Sequence, residues 1–303
     1  YVEKGRCGMD QAESLRNIIK KQEIDEKKRT ARVITVTSGK GGVGKTSFSV
    51  NLAIQLHRLG KRVVVLDADF GLANIEIMLG IRPKYNLADL MFRGKSIQDV
   101  ITYGPEGIGF LSGGSGINEM ANLNREQVFW LIQKMEELDK QADVIIVDTG
   151  AGIGDSVLEF VAASEEVLLV ATPEPTSITD AYALLKALNR NSSYMPEKTV
   201  VKMIANQVRG KKEADELFQK LGVVVNKFLD IDIDYLGAIP YDVNMQRAVM
   251  HQKPLSVADP DALASQSVEK MALSLLDMEK EKPRAVGIKQ LFSNVIRMKF
   301  NRR

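Results

Sequence analysis

The segment VITVTSGKGGVGKTSFSVNLAIQL, residues 33–56, leaves this chain little freedom in how it folds. A continuous β-branched run leads into a glycine-rich bend and then into a helix-forming stretch. Gly39, Gly44, Lys45 and Thr46 satisfy the spacing G-x-x-x-x-G-K-[ST], and a strand before with a helix after is the setting that gives this motif its meaning. Glycines at 39, 41, 42 and 44 let the backbone curl so that its N–H groups converge on phosphate oxygens, and the helix dipole adds to the attraction. Gly39, Lys40, Gly41, Gly42, Val43, Gly44, Lys45, Thr46 and Ser47 therefore form the candidate phosphate-binding loop. Lys45 would reach the β- and γ-phosphates as a point charge, and the Thr46 hydroxyl would ligate Mg²⁺.

Six further apolar runs follow: RVVVLD (62–67), GIGFL (107–111), DVIIVD (143–148), EVLLVAT (166–172), TVVKMIAN (199–206) and DYLGAIP (234–240). Runs of Val, Ile and Leu without polar alternation predict strands covered on both faces, as in a parallel sheet. Amphipathic stretches such as 123–140 and 176–190 predict helices between them. The order predicts an α/β fold, doubly wound around a mostly parallel sheet, over residues 32–282. Residues 1–31 read as a short helix capped by Asp10, with Glu13 three positions later, followed by a charged linker. EKEKPR (279–284) then releases a distinct tail, 283–303.

Composition narrows the function classes. A net charge of +2 excludes the whole molecule as an electrostatic nucleic-acid binder and leaves room only for local basic patches; with the apolar tail described below, no nucleic-acid partner is expected. The single cysteine, Cys7, excludes a disulfide framework and a cysteine-built zinc or iron–sulfur site, and fits a reducing cytoplasm. No apolar run reaches the roughly 18–20 residues that span a bilayer.

Two acidic stations accompany the glycine loop. Asp67 and Asp69 follow the second run in LDADFGLANIEIMLG (66–80), at the carboxyl end of a predicted strand, where open α/β sheets bind ligands. Asp148 ends a hydrophobic run in DVIIVDTGAGIGDS (143–156), the usual Walker B placement for Mg²⁺. The TGAGIG that follows suits a loop that senses a γ-phosphate.

KGGVGKT with its additional lysine, LDADFGLANIE and VDTGAGIG together resemble the deviant Walker A ATPases of the MinD/ParA type. The resemblance implies ATP/ADP and Mg²⁺ as cofactors and a face-to-face homodimer formed with ATP, in which Lys40 crosses to the partner's phosphates. It also implies that Asp69 orients the attacking water, that Asp67 and Asp148 belong to the Mg²⁺ shell with Thr46, and that Asn206 meets the adenine edge. The IPYDVN loop (239–244), with Pro240, Tyr241 and Asp242, would lie against the base. Guanine readers use Asn-Lys-x-Asp after a late strand; here NKFLD (226–230) puts the aspartate one position too far, so ATP is favoured over GTP.

The tail carries Ile288, Leu291, Phe292, Val295 and Ile296 on one helical stripe. From Arg284 onward it holds basic residues, including Lys289 and Arg297, and no acidic ones. The same stripe suits a helix packed on its own domain, but the charged, proline-containing break and one-sided charge favour an interfacial helix on anionic lipid. The predicted location is thus cytoplasmic with reversible, peripheral membrane association. Asp10, Gln11, Ala12, Leu15 and Arg16 resemble the activator motif of the FlhG (YlxH/FleN) family of flagellar number regulators. That resemblance implies stimulation of an FlhF-type GTPase and contact with flagellar C-ring proteins. A MinD-type division-site regulator and a ParA-like DNA partition ATPase are the alternatives. Electron transfer on the same fold, as in nitrogenase iron protein, is excluded by the lack of core cysteines.

Overall fold

The β-branched runs become the inner strands of one sheet. The computed structural model describes residues 30–69, 74–114, 125–279 and 287–301; Asp10, Gln11, Ala12, Leu15 and Arg16 of the expected N-terminal helix lie outside the described residues. The strands are β1 (Arg32–Ser38), β2 (Val63–Ala68), β3 (Thr102–Tyr103), β4 (Gly109–Ser112), β5 (Val144–Ala151), β6 (Glu166–Ala171), β7 (Val200–Val208) and β8 (Ile233–Pro240). Their order is β3-β4-β2-β5-β1-β6-β7-β8. Every pair is parallel except β3 with β4 at one edge. Sequence periodicity missed β3, because two residues carry no period. It also began β4 early: Gly107 ends a 3₁₀ turn with φ 88° before the strand starts.

The helices are α1 (Lys45–Arg58), α2 (Asn74–Leu79), α3 (Leu87–Phe92), α4 (Ile97–Val100), α5 (Arg125–Gln141), α6 (Asp155–Ala163), α7 (Pro175–Asn189), α8 (Lys211–Phe228), α9 (Val243–Met250), α10 (Leu255–Ala258), α11 (Leu263–Glu279) and α12 (Ile288–Asn301). One face of the sheet packs against α1, α2, α10 and α11 through residues such as Phe48, Ile75, Leu255 and Val268. The other packs against α5, α6, α7, α8 and α12 through Leu131, Phe160, Leu184, Leu217 and Phe292. With both faces covered, the strands need apolar residues on both sides, which explains their lack of alternation.

The tail changes one expectation. Ile288, Leu291, Phe292, Val295 and Ile296 are all buried, none more than 4% exposed. They belong to the same core as α5 and α6, and Phe292 meets Phe160 edge-on with ring centroids 5.8 Å apart. Lys289 is turned to Glu136 of α5 at 2.7 Å, while Arg297 stays exposed. The expected lipid-facing stripe is therefore docked on the body here. An apolar stripe is satisfied by any apolar surface, and this domain offers one nearby. Among the described residues no helix is long and apolar enough to cross a membrane.

Candidate functional site

The carboxyl ends of β1, β2, β5, β7 and β8 converge on the glycine loop. Two of its glycines are required by their surroundings. A Cβ on Gly39 would collide with the backbone of Asp180 and Ala181 on α7, and Gly44 combines φ 88° with close approach to the Asn206 amide. Gly44 ends the loop in the left-handed region, which L side chains rarely adopt, and so turns the chain into α1.

Asp148 is fully buried in the carboxyl half of β5 and accepts from three side chains of α1. Lys45 Nζ lies 3.2 Å from Oδ1, Thr46 Oγ1 2.6 Å from Oδ2, and Ser49 Oγ 2.8 Å from Oδ1. Lys45 thus rests on the Asp148 carboxylate, both side chains being buried. Ser49 was missed by motif reading, although its place one helical turn after Lys45 puts it on the same face.

Asp67 stands beside Asp148 in register across β2 and β5. Its Oδ1 accepts the Asp69 N–H at 3.1 Å, whereas its Oδ2 is buried with no hydrogen-bond partner. Burial, followed by the Asp148 charge, pushes the Asp67 carboxyl up to about 7. A buried orphan oxygen next to a second carboxylate and a threonine hydroxyl is a donor set suited to a hard cation. Mg²⁺ takes one or two carboxylates and completes its shell with water and substrate phosphates, so Asp67, Asp148 and Thr46 fit it without a dedicated protein cage. Asp69 is held differently: its Oδ2 takes the Asn74 amide at 3.0 Å, and Oδ1 faces Gly150 of the TGAGIG loop.

Lys40 is engaged within its own chain. Its ammonium lies 2.5 Å from Glu174 Oε2 and 2.9 Å from Thr176 Oγ1, at the start of α7. The side chain remains about a third exposed. Neither partner was singled out from the sequence; their position just after β6, at the crevice end of the sheet, was the available signal.

A cavity of about 290 Å³ lies between the glycine loop and the end of β8, lined by Gly42, Gly44 and Ser47 and by the residues expected against the base, Asn206, Pro240, Tyr241 and Asp242. The loop residues and those expected against the base thus share one cavity, while Asp67 and Asp148 lie beside Lys45 and Thr46. Asn206 already ties the site together, donating to Val43 O at 2.7 Å and accepting from Gln207 N–H at 2.9 Å. One amide proton and one lone pair remain for an adenine edge. The Asp242 carboxylate caps α9 through Asn244 N–H at 2.8 Å, so its part in the cavity wall is as a spacer and cap. Gln207, also on the wall, holds a left-handed φ of 60°, which no sequence pattern signalled.

A family profile described as ParA, NUBPL iron-transfer P-loop NTPase, matches residues 29–276. The chain belongs to the ParA/MinD family of P-loop NTPases. The matched residues contain no cysteine, the sole one being Cys7. Within the family the chain falls on the FleN/YlxH branch. It is 46% identical to Antiactivator FleN of Pseudomonas aeruginosa over 80% of this chain and 85% of that protein. It is 33% identical to Flagellum site-determining protein YlxH of Helicobacter pylori over 94% and 96%. Among solved structures, MinD of Aquifex aeolicus superposes with a TM-score of 0.64 at 26% identity, covering 82% of this chain and 97% of that one. MinD of Pyrococcus horikoshii, complexed with Mg-ADP, gives the same TM-score at 22% identity, covering 84% and 99%.

Proposed function

We propose that this ParA/MinD-type NTPase is an ATP-hydrolysing switch that regulates flagellar number or placement. It is a monomer when empty or ADP-bound, and a membrane-associated homodimer with ATP. Mg²⁺, when bound, neutralises the phosphate charge that Lys45 and the loop amides do not. Asp69, fixed by Asn74, orients the attacking water beside the TGAGIG loop. In the dimer Lys40 leaves Glu174 and Thr176 and reaches the partner's phosphates, which makes hydrolysis conditional on pairing. The cytoplasmic chain exchanges between solution and membrane as the nucleotide changes.

One observation carries the switch. The candidate phosphate-sensing loop 149–154 runs directly into α6, and α6 presents Phe160 to Phe292 of α12. A displacement of that loop is delivered to the helix that hides the lipid-suited stripe. Released, the stripe and its basic residues make a marginal anchor, each cation contributing about 1 kcal/mol on an anionic surface; a dimer presents two such helices and gains from effective concentration. Residues 1–31 are assigned to stimulating an FlhF-type GTPase through Asp10, Gln11, Ala12, Leu15 and Arg16, with flagellar C-ring proteins as further partners.

Sedimentation with anionic vesicles tests this. Wild-type protein is expected to pellet with ATP and to stay soluble with ADP, and Lys40→Ala is expected to lose both the ATP-dependent dimer and its vesicle binding. Equal pelleting in every nucleotide state would remove the switch.

A further inference from the structure

Residues 81–95 carry Arg82, Lys84, Arg93 and Lys95 against a single acid, Asp89. Four minus one leaves a surplus of three positive charges in a chain whose whole net charge is +2. Two of the four meet on one aromatic ring: Lys84 Nζ lies 5.2 Å and Lys95 Nζ 4.2 Å from the centroid of Tyr85. The ring attracts each ammonium, but the two like charges held beside it repel one another. Neither lysine has a carboxylate partner among the described residues. The acids nearest in sequence are engaged elsewhere. Asp89 takes the Asn86 N–H at 2.9 Å and the Arg93 guanidinium at 2.7 Å, while Asp99 takes the Ser96 N–H at 3.0 Å and its hydroxyl at 2.8 Å. The segment stands on the same side of the sheet as α12. Leu87 and Leu90 of α3 and Ile97 of α4 enter the core that also buries the α12 stripe, and Tyr85 packs against it. α4 packs on α5, and α5 on α12.

We propose that Lys84 and Lys95, gathered on Tyr85, bind the phosphate of an anionic lipid headgroup and form a second membrane contact on the α12 side of the sheet. The inference rests on the reading of α12 as a releasable membrane anchor. Stable attachment to a bilayer takes two signals, and a basic patch is the usual complement to one weak apolar anchor. Here α12 supplies the apolar signal, and part of its own charge is engaged while it is docked. Lys289 pairs with Glu136, and Asp139 of α5 caps the helix, accepting the Ile288 N–H at 2.8 Å and the Lys289 N–H at 3.2 Å. The surplus at residues 81–95 needs no such release, because Arg82, Lys84 and Arg93 are already exposed. A tyrosine flanked by lysines also matches the headgroup level, where the ring rests at the boundary and the ammoniums reach phosphate. A nucleic-acid backbone offers the same phosphate charge. Phe92, 43% exposed at the end of α3, and the position on the α12 side favour a bilayer.

The test is sedimentation of the full chain with vesicles of phosphatidylglycerol and phosphatidylcholine, in ATP and in ADP. The double variant Lys84→Gln/Lys95→Gln is expected to bind them about thirtyfold more weakly in ATP, the worth of two cations at about 1 kcal/mol each. Its binding should also depend less on salt. Binding of a fluorescent ATP analogue and the melting temperature should stay as in the wild type, which shows that the fold and the nucleotide site are intact. Lys253→Gln/Lys270→Gln removes the same charge from exposed positions on the opposite side of the sheet and should change vesicle binding less than twofold. Equal loss in the two double variants overturns the site, since net charge alone would then explain it. No loss at Lys84 and Lys95 also overturns it, as does a variant that keeps vesicle binding but loses binding to double-stranded DNA. The outcomes separate the site from the reading it rests on. If vesicle binding is equal in ATP and ADP yet still falls thirtyfold in the Lys84 and Lys95 variant, the site stands and the nucleotide-gated release of α12 falls. If binding follows ATP and ignores the two lysines, the site alone falls; if the wild type binds no anionic vesicle, both do.

Discussion

Two buried charge clusters occupy opposite ends of the same sheet, and they are finished to different degrees. At the amino-terminal ends of β1, β6 and β7, Arg32 grips Glu166 with two bonds of 2.8 and 2.9 Å, and Lys202 joins at 2.5 Å. The remaining Arg32 arm reaches Leu275 O on α11 at 2.7 Å. Burial pushes the Glu166 carboxyl up, but the Arg32 and Lys202 charges outweigh it and hold the group below its ordinary value. At the carboxyl-terminal ends, Asp148 has Lys45 for company, while Asp67 faces it with an orphan oxygen and a carboxyl raised to about 7. The first cluster is complete within the protein. The second is short of positive charge, and that deficit is where binding free energy for a cation can come from. A structural ion cluster and a binding site can thus be told apart by whether the protein alone satisfies them.

Substitutions sharpen the contrast by their sign. Glu166→Gln leaves two buried cations without a counter-charge and should cost about 3–5 kcal/mol, read as a large drop in the urea midpoint at unchanged slope. Asp67→Asn should act the other way, stabilising the nucleotide-free protein by about 2 kcal/mol above pH 7 while abolishing Mg²⁺-dependent nucleotide binding. The sign follows from proton uptake: a carboxyl whose folded pKa is about 7 against an ordinary 3.8 binds more protons folded than unfolded across that window. Stability of the wild-type protein therefore falls as pH rises from about 4 to 7, and the advantage of the Asn variant grows over the same range. Thermal melts at pH 5 and pH 8 check this; an equal gain at both would break the comparison. Lys202→Met keeps the volume and leaves the Arg32–Glu166 fork intact, so it should change stability by about 1 kcal/mol or less. Glu174→Ala breaks only a solvent-exposed pair and should cost under about 0.5 kcal/mol, while freeing Lys40 and shifting ATP-dependent dimerisation, measured by light scattering, to lower protein concentration.

Much of the nucleotide site was legible because its chemistry is local. Glycine spacing, a lysine and a hydroxyl at the head of a helix, and carboxylates at strand ends are set by a few consecutive residues, and all of them meet at one end of the sheet. What escaped was non-local. Glu174 and Thr176 contact Lys40 from more than 130 residues away, and Ser49 mattered only once β5 was placed beside α1. Asn206 was singled out from the sequence, but not its ties to Val43 and Gln207.

The amino-acid order by itself determined the layered fold and the phosphate-binding loop, since strand burial and loop curvature follow from neighbouring side chains. Tertiary structure alone decided which surface the α12 stripe covers, where Lys40 rests, and that Asp139 of α5 caps α12. An apolar stripe, an ammonium or a carboxylate specifies the kind of partner it needs. Only folding in three dimensions brings a particular one within reach.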